Sequence, residues 1–397
     1  MPQLVSLLAA LALFAGLVLS TPLPEVANII GLALMVVALI ALFFDRQARD
    51  IAKQKHFLVV YGAGLLLLLA LIPTATSAEH IAAILILAPL WLAGPYAGLV
   101  ARAPRQLLWP LSIGVLALIG TTASTLIAGY DVFVLQMPRG GFSVNNPIHL
   151  ADLAVSLGFL SLLGLSSRSR WRFIVLLGPV LALATVLLSG SRGPLLAFFV
   201  LSAVSAVFYV AAIWRPRRAI ALGLGLAFAC LVFAAPFVSV DLNGRKFQLA
   251  DIAQQVLTGS TEDGSTSERL FMLQTAWGAF KASPVYGFGM IDYPAKAAPF
   301  GPPDNPFAPS QHLHNDIADF AVIGGLLGLL SYALIVLAPL LGGLRARRPD
   351  ALFIGLMATT GYFTMGLTNA MIGILTQTML FGLMLALIGM LSHKDQT

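Results

Sequence analysis

Charge is what this 397-residue chain has least of. Asp, Glu, Lys and Arg together make up 10% of it, against about 25% in soluble domains, too few to coat a water-soluble protein of this size. Cysteine is almost absent too. Cys230 stands alone and cannot close an internal bridge, which excludes a secreted disulfide scaffold. There is no P-loop, Rossmann glycine fingerprint, Gly-x-Ser-x-Gly elbow or CxxC, and no repeat of fixed period. Acids inside the apolar runs are scarce, with Asp152 near the outer end of one and Asp319 near the start of another. Ion-coupled transporters keep charged or polar relays near the bilayer midplane, so this scarcity argues against transport.

What the chain has in abundance is apolar sequence, 58% of its residues. Runs of about twenty recur, each able to cross a hydrocarbon core of about 30 Å as a helix. Hydropathy predicts an all-α polytopic membrane protein with twelve spans, near 3–20, 24–44, 57–72, 81–101, 107–128, 149–166, 173–189, 195–213, 219–238, 318–340, 351–369 and 372–391. The first lacks a basic n-region and no polar mature domain follows, so it reads as a membrane helix and not a cleaved signal peptide.

Alternate loops separate by charge. One set holds 16 of the 23 basic residues, in clusters at Arg46–Lys55, Arg102–Arg105, Arg168–Arg172, Arg215–Arg218, Arg345–Arg348 and Lys394, against four acids. The other set keeps seven basic residues and thirteen acids. Positive residues mark cytoplasmic loops, so both termini are expected inside. The net charge of +6 is thus +12 on one side and −6 on the other. No basic patch is left over for nucleic acid.

Two connections on the outer side are long. Residues 129–148 form a modest loop carrying Gly140-Gly141, and residues 239–317 a loop of about eighty residues, a length that is usually functional. The larger loop contains an amphipathic helix predicted from Ser267 to Ala282, with Ser265, Thr266 or Ser267 as cap and Leu270, Leu273, Trp277 and Phe280 at helical spacing. A turn with Pro284, Gly287 and Gly289 follows, then a proline-rich stretch from Pro294 to Pro309.

Three places on the outer side carry chemistry. Arg192 stands in Ser189-Gly190-Ser191-Arg192-Gly193-Pro194 between two spans. It is either a turn arginine that snorkels to the interface or an anion ligand beside glycines that allow close approach. Arg269 opens the loop helix. It is either solvated and paired with Glu262, Asp263 or Glu268, or a bidentate phosphate ligand at a helix N-terminus. The run Gln311-His312-Leu313-His314-Asn315-Asp316-Ile317-Ala318-Asp319 precedes span ten and admits three readings. Its ligand types would suit a metal, but the spacing matches no zinc signature and histidines two apart diverge on a helix. Asn315 or Asp316 would cap the helix, with the histidines at headgroup level. Alternatively one histidine, oriented by Asn315 or Asp316, is a general base.

His314-Asn315, nine residues, Gly325, two residues and Gly328 fit the H-[NSQ]-x9-G-x2-[GTY] signature of bacterial O-antigen ligases and related O-oligosaccharyltransferases. Ser189–Gly193 resembles that family's stretch after the seventh helix. Ser267-Glu268-Arg269, followed by Pro284 to Gly289, resembles its loop segment ending in P-x-x-G-x-G. The resemblance covers residues 175–335 in motif and the whole chain, 1–397, in layout as a single transmembrane domain. Repeat-unit polymerases share these motifs.

The resemblance implies a GT-C-like glycosyltransferase of the inner membrane with a periplasmic active site and a large periplasmic loop between helices nine and ten. It implies a glycan on undecaprenyl diphosphate as donor, a lipid A–core sugar hydroxyl as acceptor, inversion at the anomeric carbon, and neither metal nor cofactor. Its diphosphate-binding arginines fall on Arg192 and Arg269, and its essential histidine on His314. Ser191, His312, Asn315 and Asp316 are expected to support them. A transporter and a protein-glycosylating enzyme are the remaining alternatives, the latter without a large C-terminal periplasmic region to hold a protein acceptor.

Overall fold

The computed structural model describes residues 2–144, 146–213, 240–242, 245–247, 264–302 and 311–393. Its main helices are α1 (Pro2–Phe14), α2 (Pro24–Ala41), α3 (Lys55–Leu71), α4 (Ala93–Val100), α5 (Pro110–Phe133) and α6 (Pro147–Ser161). They continue as α7 (Leu177–Ser189), α8 (Arg192–Ile213), α9 (Gly264–Ala282), α10 (Asp316–Ala346), α11 (Pro349–Gly366) and α12 (Leu375–His393). One antiparallel hairpin, β1 (Val240–Leu242) with β2 (Arg245–Phe247), is the only sheet among the described residues. Nine helices among the described residues are long and apolar enough to cross a membrane. A shorter apolar segment, Gln3–Leu19, coincides with the first expected span. The ninth expected span, 219–238, lies outside the described residues, as do Glu262, Asp263 and residues 303–310.

The bundle has two chemically different ends. Helices α3 and α10 pack antiparallel: Gly324 faces Ala70 and Leu67, Ser331 donates to the Ala63 carbonyl at 2.8 Å, and Gly342 faces His56. The basic start of α3 therefore lies beside Arg345 and Arg347 at the far end of α10. At that end Arg102 also pairs with Asp45, the cap of the short helix Arg46–Ala52. The histidine segment, preceding Asp316, is at the opposite end.

Helix α10 is broken at Gly325, where φ is 58° and ψ is −139°, a region in effect restricted to glycine. The break is filled by the turn that follows α9. Phe288 N donates to Val322 O (2.8 Å) and Gly289 N to Ile323 O (3.0 Å). In the other direction Leu326 N donates to Pro284 O (2.7 Å) and Leu327 N to Val285 O (3.4 Å). The turn thus takes up the backbone groups that the interrupted helix exposes. A Cβ on Gly325 would lie 2.6 Å from Val285 C and 2.7 Å from Pro284 O, and one on Gly287 (φ 64°) 2.6 Å from Gly324 N. The glycines of the P-x-x-G-x-G turn and of the x9-G signature are the two halves of one backbone contact.

One expectation about α9 needs correction, its start and cap. The helix begins at Gly264, so Ser265, Thr266 and Ser267 lie within its first turn and do not cap it. Its buried face is Met272, Thr275, Ala276 and Ala279, while Leu273 and Trp277 point outward. Small residues line the inner face because the chain crosses close by: a Cβ on Gly278 would meet the Phe300 backbone.

Gly325→Ala is expected to lower stability by at least about 1–2 kcal/mol from backbone strain alone. Gly62→Ala, in α3 with no atom near its added Cβ, should be neutral or slightly stabilising. Thermal unfolding of the two purified variants in detergent checks the contrast, and equal midpoints would sink it.

Candidate functional site

The turn between α7 and α8 is the first element of the site. Gly190 ends α7 in the left-handed conformation (φ 61°), where glycine avoids the Cβ penalty. Arg192 is then the first residue of α8, at a helix end whose N–H groups and dipole favour an anion. The turn is held from outside. Arg139 Nε donates to Ser189 O (2.6 Å) and its Nη2 to Ser191 Oγ (3.0 Å), Ser189 Oγ donates to Ser191 Oγ (2.9 Å), and Gly140 N donates to Leu188 O (3.0 Å). The loop that carries Arg139 is anchored by buried Asp131, which accepts from Gly141 N and Ser143 N. Sequence reasoning left Arg139 as a loop residue. Its signal was there, as one of only seven basic residues on the outer side.

The histidine segment is fixed as firmly. Asn315 is the cap, its Oδ1 accepting from Ala318 N at 3.0 Å and its Nδ2 donating to Leu367 O at 2.9 Å. Buried Asp319 accepts from Leu313 N and from Tyr293 Oη, each at 2.7 Å. One carboxylate thus pins the residue between the two histidines, and buried Leu313 anchors it by packing. His314 takes a left-handed conformation (φ 53°), uncommon for a side chain of this size. The two imidazoles stand 4.3 Å apart, nearly perpendicular. Asp316 is buried and accepts from Met371 N and Ile372 N. Its role is to hold the turn between α11 and α12.

That turn joins the parts. Gly193, the residue after Arg192, packs so closely on Thr368 that an added Cβ would lie 2.8 Å from the threonine Cβ. The next residue, Asn369, donates from Nδ2 to Oδ2 of Asp152 on α6 at 3.0 Å, and both are buried. The carbonyl of Leu367, just before Thr368, accepts from Nδ2 of Asn315, the residue after His314. Arg269, half-buried on α9, acts electrostatically on both His314 and Asp152. The sequence-nominated residues therefore share one end of the bundle: Arg269 within electrostatic range of His314, and the Arg192 turn against the 367–369 turn that holds Asn315.

The electrostatics keep the histidines neutral. Burial is the main cause that holds His314 below the usual histidine range, reinforced by the Arg269 charge and opposed by Asn369 and Glu268. Burial, then His314 and His149, push His312 down to about 4. A neutral His314 can accept a proton at pH 7, and Arg192 and Arg269 can neutralise an anion. No group of three or more His, Cys, Asp and Glu arranged to hold a metal ion is present among the described residues.

Residues 177–333 match the family model described as O-antigen ligase. The match runs from the start of α7 past Gly325 and Gly328, and it contains Arg192, Arg269 and His314. No curated protein matches the chain.

Because Asp319 is the acceptor for two buried donors, its loss should matter more than the loss of either donor. Asp319→Ala is expected to destabilise by about 1–3 kcal/mol for each donor left unsatisfied, and Tyr293→Phe by less. Thermal midpoints of the two variants provide the check, and an Asp319→Ala midpoint at or above that of Tyr293→Phe would contradict it.

Proposed function

The chain is O-antigen ligase-like across residues 177–333, and on that footing we propose that it is a glycosyltransferase of the O-antigen pathway. Its donor is a glycan on undecaprenyl diphosphate and its acceptor a sugar hydroxyl of lipid A–core. The observation that carries this reading is a histidine held below its usual range, within electrostatic range of Arg269, at the end of the bundle where the Arg192 turn also packs.

The chemistry follows from those groups. The acceptor oxygen attacks the anomeric carbon from the face opposite the diphosphate, and the bond from that carbon to the diphosphate oxygen breaks. The leaving group takes the electron pair, so negative charge grows on it. Arg192 and Arg269 offset that charge, the kind of preorganised stabilisation that is often the largest catalytic contribution. His314 takes the hydroxyl proton, worth about 10²–10⁴-fold. Attack from the opposite face inverts the anomeric centre. The two guanidinium groups supply the positive charge, so no step is assigned to a metal or cofactor.

The same reading makes this a twelve-span, GT-C-like protein of the bacterial inner membrane, with both termini cytoplasmic and residues 239–317 as its periplasmic loop. Support comes from the separation of the basic loops from the histidine segment, at opposite ends of α10. A repeat-unit polymerase would use the same donor chemistry. An acceptor assay separates the two, because a ligase joins glycan to lipid A–core and a polymerase extends the lipid-linked chain.

Arg192→Ala, Arg269→Ala and His314→Ala are each expected to abolish glycan transfer in a purified assay while the protein still inserts and extracts normally. Full activity in any one removes that residue's role. The pH profile has a definite sign. Protonated His314 cannot act as base, and its pKa lies below the ordinary 6.5. The midpoint of the acid limb of transfer should therefore lie below pH 6.5, and a midpoint above 6.5 contradicts the assignment. For orientation, in a Cys230→Ser background, an impermeant thiol reagent added to intact spheroplasts should label Gln311→Cys but not Arg46→Cys. The reverse pattern would refute a periplasmic site.

A further inference from the structure

We infer that Arg139 is a positioning residue for donor binding, one that keeps the carbonyl end of α7 from competing with the diphosphate for the guanidinium of Arg192. This rests on the reading of Arg192 as a diphosphate ligand. Arg139 lies outside the family-matched stretch 177–333.

The last carbonyls of a helix have no partners within it and form the negative end of its dipole. In α7 each of the final four finds a donor. Val186 O accepts from Ser189 Oγ (2.9 Å) and Leu187 O from Gly190 N (3.2 Å). The other two are served by a distant part of the chain. Gly140 N donates to Leu188 O (3.0 Å) and Arg139 Nε to Ser189 O (2.6 Å). A second arm of the same guanidinium donates to Ser191 Oγ (3.0 Å), so the planar fork of Arg139 spans the turn. Arg192 follows Ser189 by only three residues. Arginines near the end of a helix readily bond its last carbonyls, so an open carbonyl there would draw the Arg192 side chain back onto α7. Arg139 occupies that acceptor first.

The loop is shaped to deliver the guanidinium. Buried Asp131 accepts from Gly141 N (2.7 Å) and Ser143 N (3.2 Å) through its carboxylate, and from Met137 N (2.8 Å) through its carbonyl. A Cβ on Gly140 would lie 2.7 Å from Ala128 Cα, and Gly141 has a φ of 116°. The glycine pair lets the loop close on α5 while Arg139, just before it, reaches the α7–α8 turn.

The test measures binding of undecaprenyl diphosphate to the full-length protein in nanodiscs, together with KM for the donor and kcat in the transfer assay. Partial capture of Arg192 lowers apparent affinity by the fraction that stays available and leaves the bound state unchanged. Arg139→Gln is therefore expected to weaken binding and raise KM by about tenfold, with kcat within about threefold. A merely structural role would lower kcat and the thermal midpoint and leave KM unmoved. In an Arg192→Ala background, read by binding alone, Arg139→Gln should add less than about threefold, because it acts through Arg192. A further loss of about tenfold there would make Arg139 a ligand in its own right and overturn the inference. Unchanged binding in the parent background would overturn it too. Should Arg139→Gln fail to extract as folded protein, Arg139→Lys carries the decision. It keeps the charge without the fork, and a smaller loss is expected that again disappears with Arg192→Ala; no loss, or one that persists there, counts against the inference. An Arg192→Ala variant that binds undecaprenyl diphosphate as tightly as the parent would instead remove the ligand assignment beneath it.

Discussion

A helix interrupted inside an apolar bundle exposes carbonyl and amide groups that lipid cannot satisfy, so the protein must supply their partners from elsewhere in the chain. Here the partner is the turn after α9. Four backbone hydrogen bonds between Pro284–Gly289 and Val322–Leu327 close the break at Gly325. The turn's end of α9 and the first half of α10 are thereby fixed to each other; Arg269 lies on the first of these helices and His314 just before the second. Glycine is required on both sides of the contact because the backbones approach too closely for a Cβ. The placement of guanidinium and imidazole at one end of the bundle therefore depends on a main-chain contact that involves neither of them.

The buried acids divide the remaining work. Asp131, Asp316 and Asp319 each accept from backbone N–H groups, of Gly141 and Ser143, of Met371 and Ile372, and of Leu313. Each holds in place a turn that has no helix ladder of its own, which is how buried polar groups repay their desolvation. Asp152 differs in that its partner is a side chain, Asn369. The 366–372 turn gathers these threads, touching α6, α8 and the start of α10 in one short stretch.

Helix α9 shows how a correct local pattern can be given the wrong surroundings. Its large apolar residues do fall at helical spacing, but Leu273 and Trp277 face outward and the inner face carries Thr275, Ala276 and Ala279. In water the large residues would be expected inside. Beside a membrane an outward Trp is at home in the interface, where an apolar body and a polar tip are both accommodated. Close packing against the Ala298–Phe300 turn selects small residues for the other side.

Composition and periodicity were enough for the membrane class, for the placement of the long helices and for the separation of basic from acidic loops, because hydrophobic burial and charge at an interface are set by local sequence. The His314 signature and Arg192 were visible because their neighbours, glycines and serines, have strong local turn chemistry. Arg139, Asp152 and Asn369 were not recognised as parts of one site, since nothing within a few residues of each reveals a partner 50 to 217 positions away. The sequence itself determined which segments are helices and which loops carry charge, through propensity and transfer free energy. The tertiary structure alone decided that Gly325 opens to receive the Pro284 turn, that Asp319 holds Leu313, and that an amide from the α11–α12 turn pairs with Asp152 on α6, because hydrogen-bond partners across a bundle are chosen by packing and not by proximity along the chain.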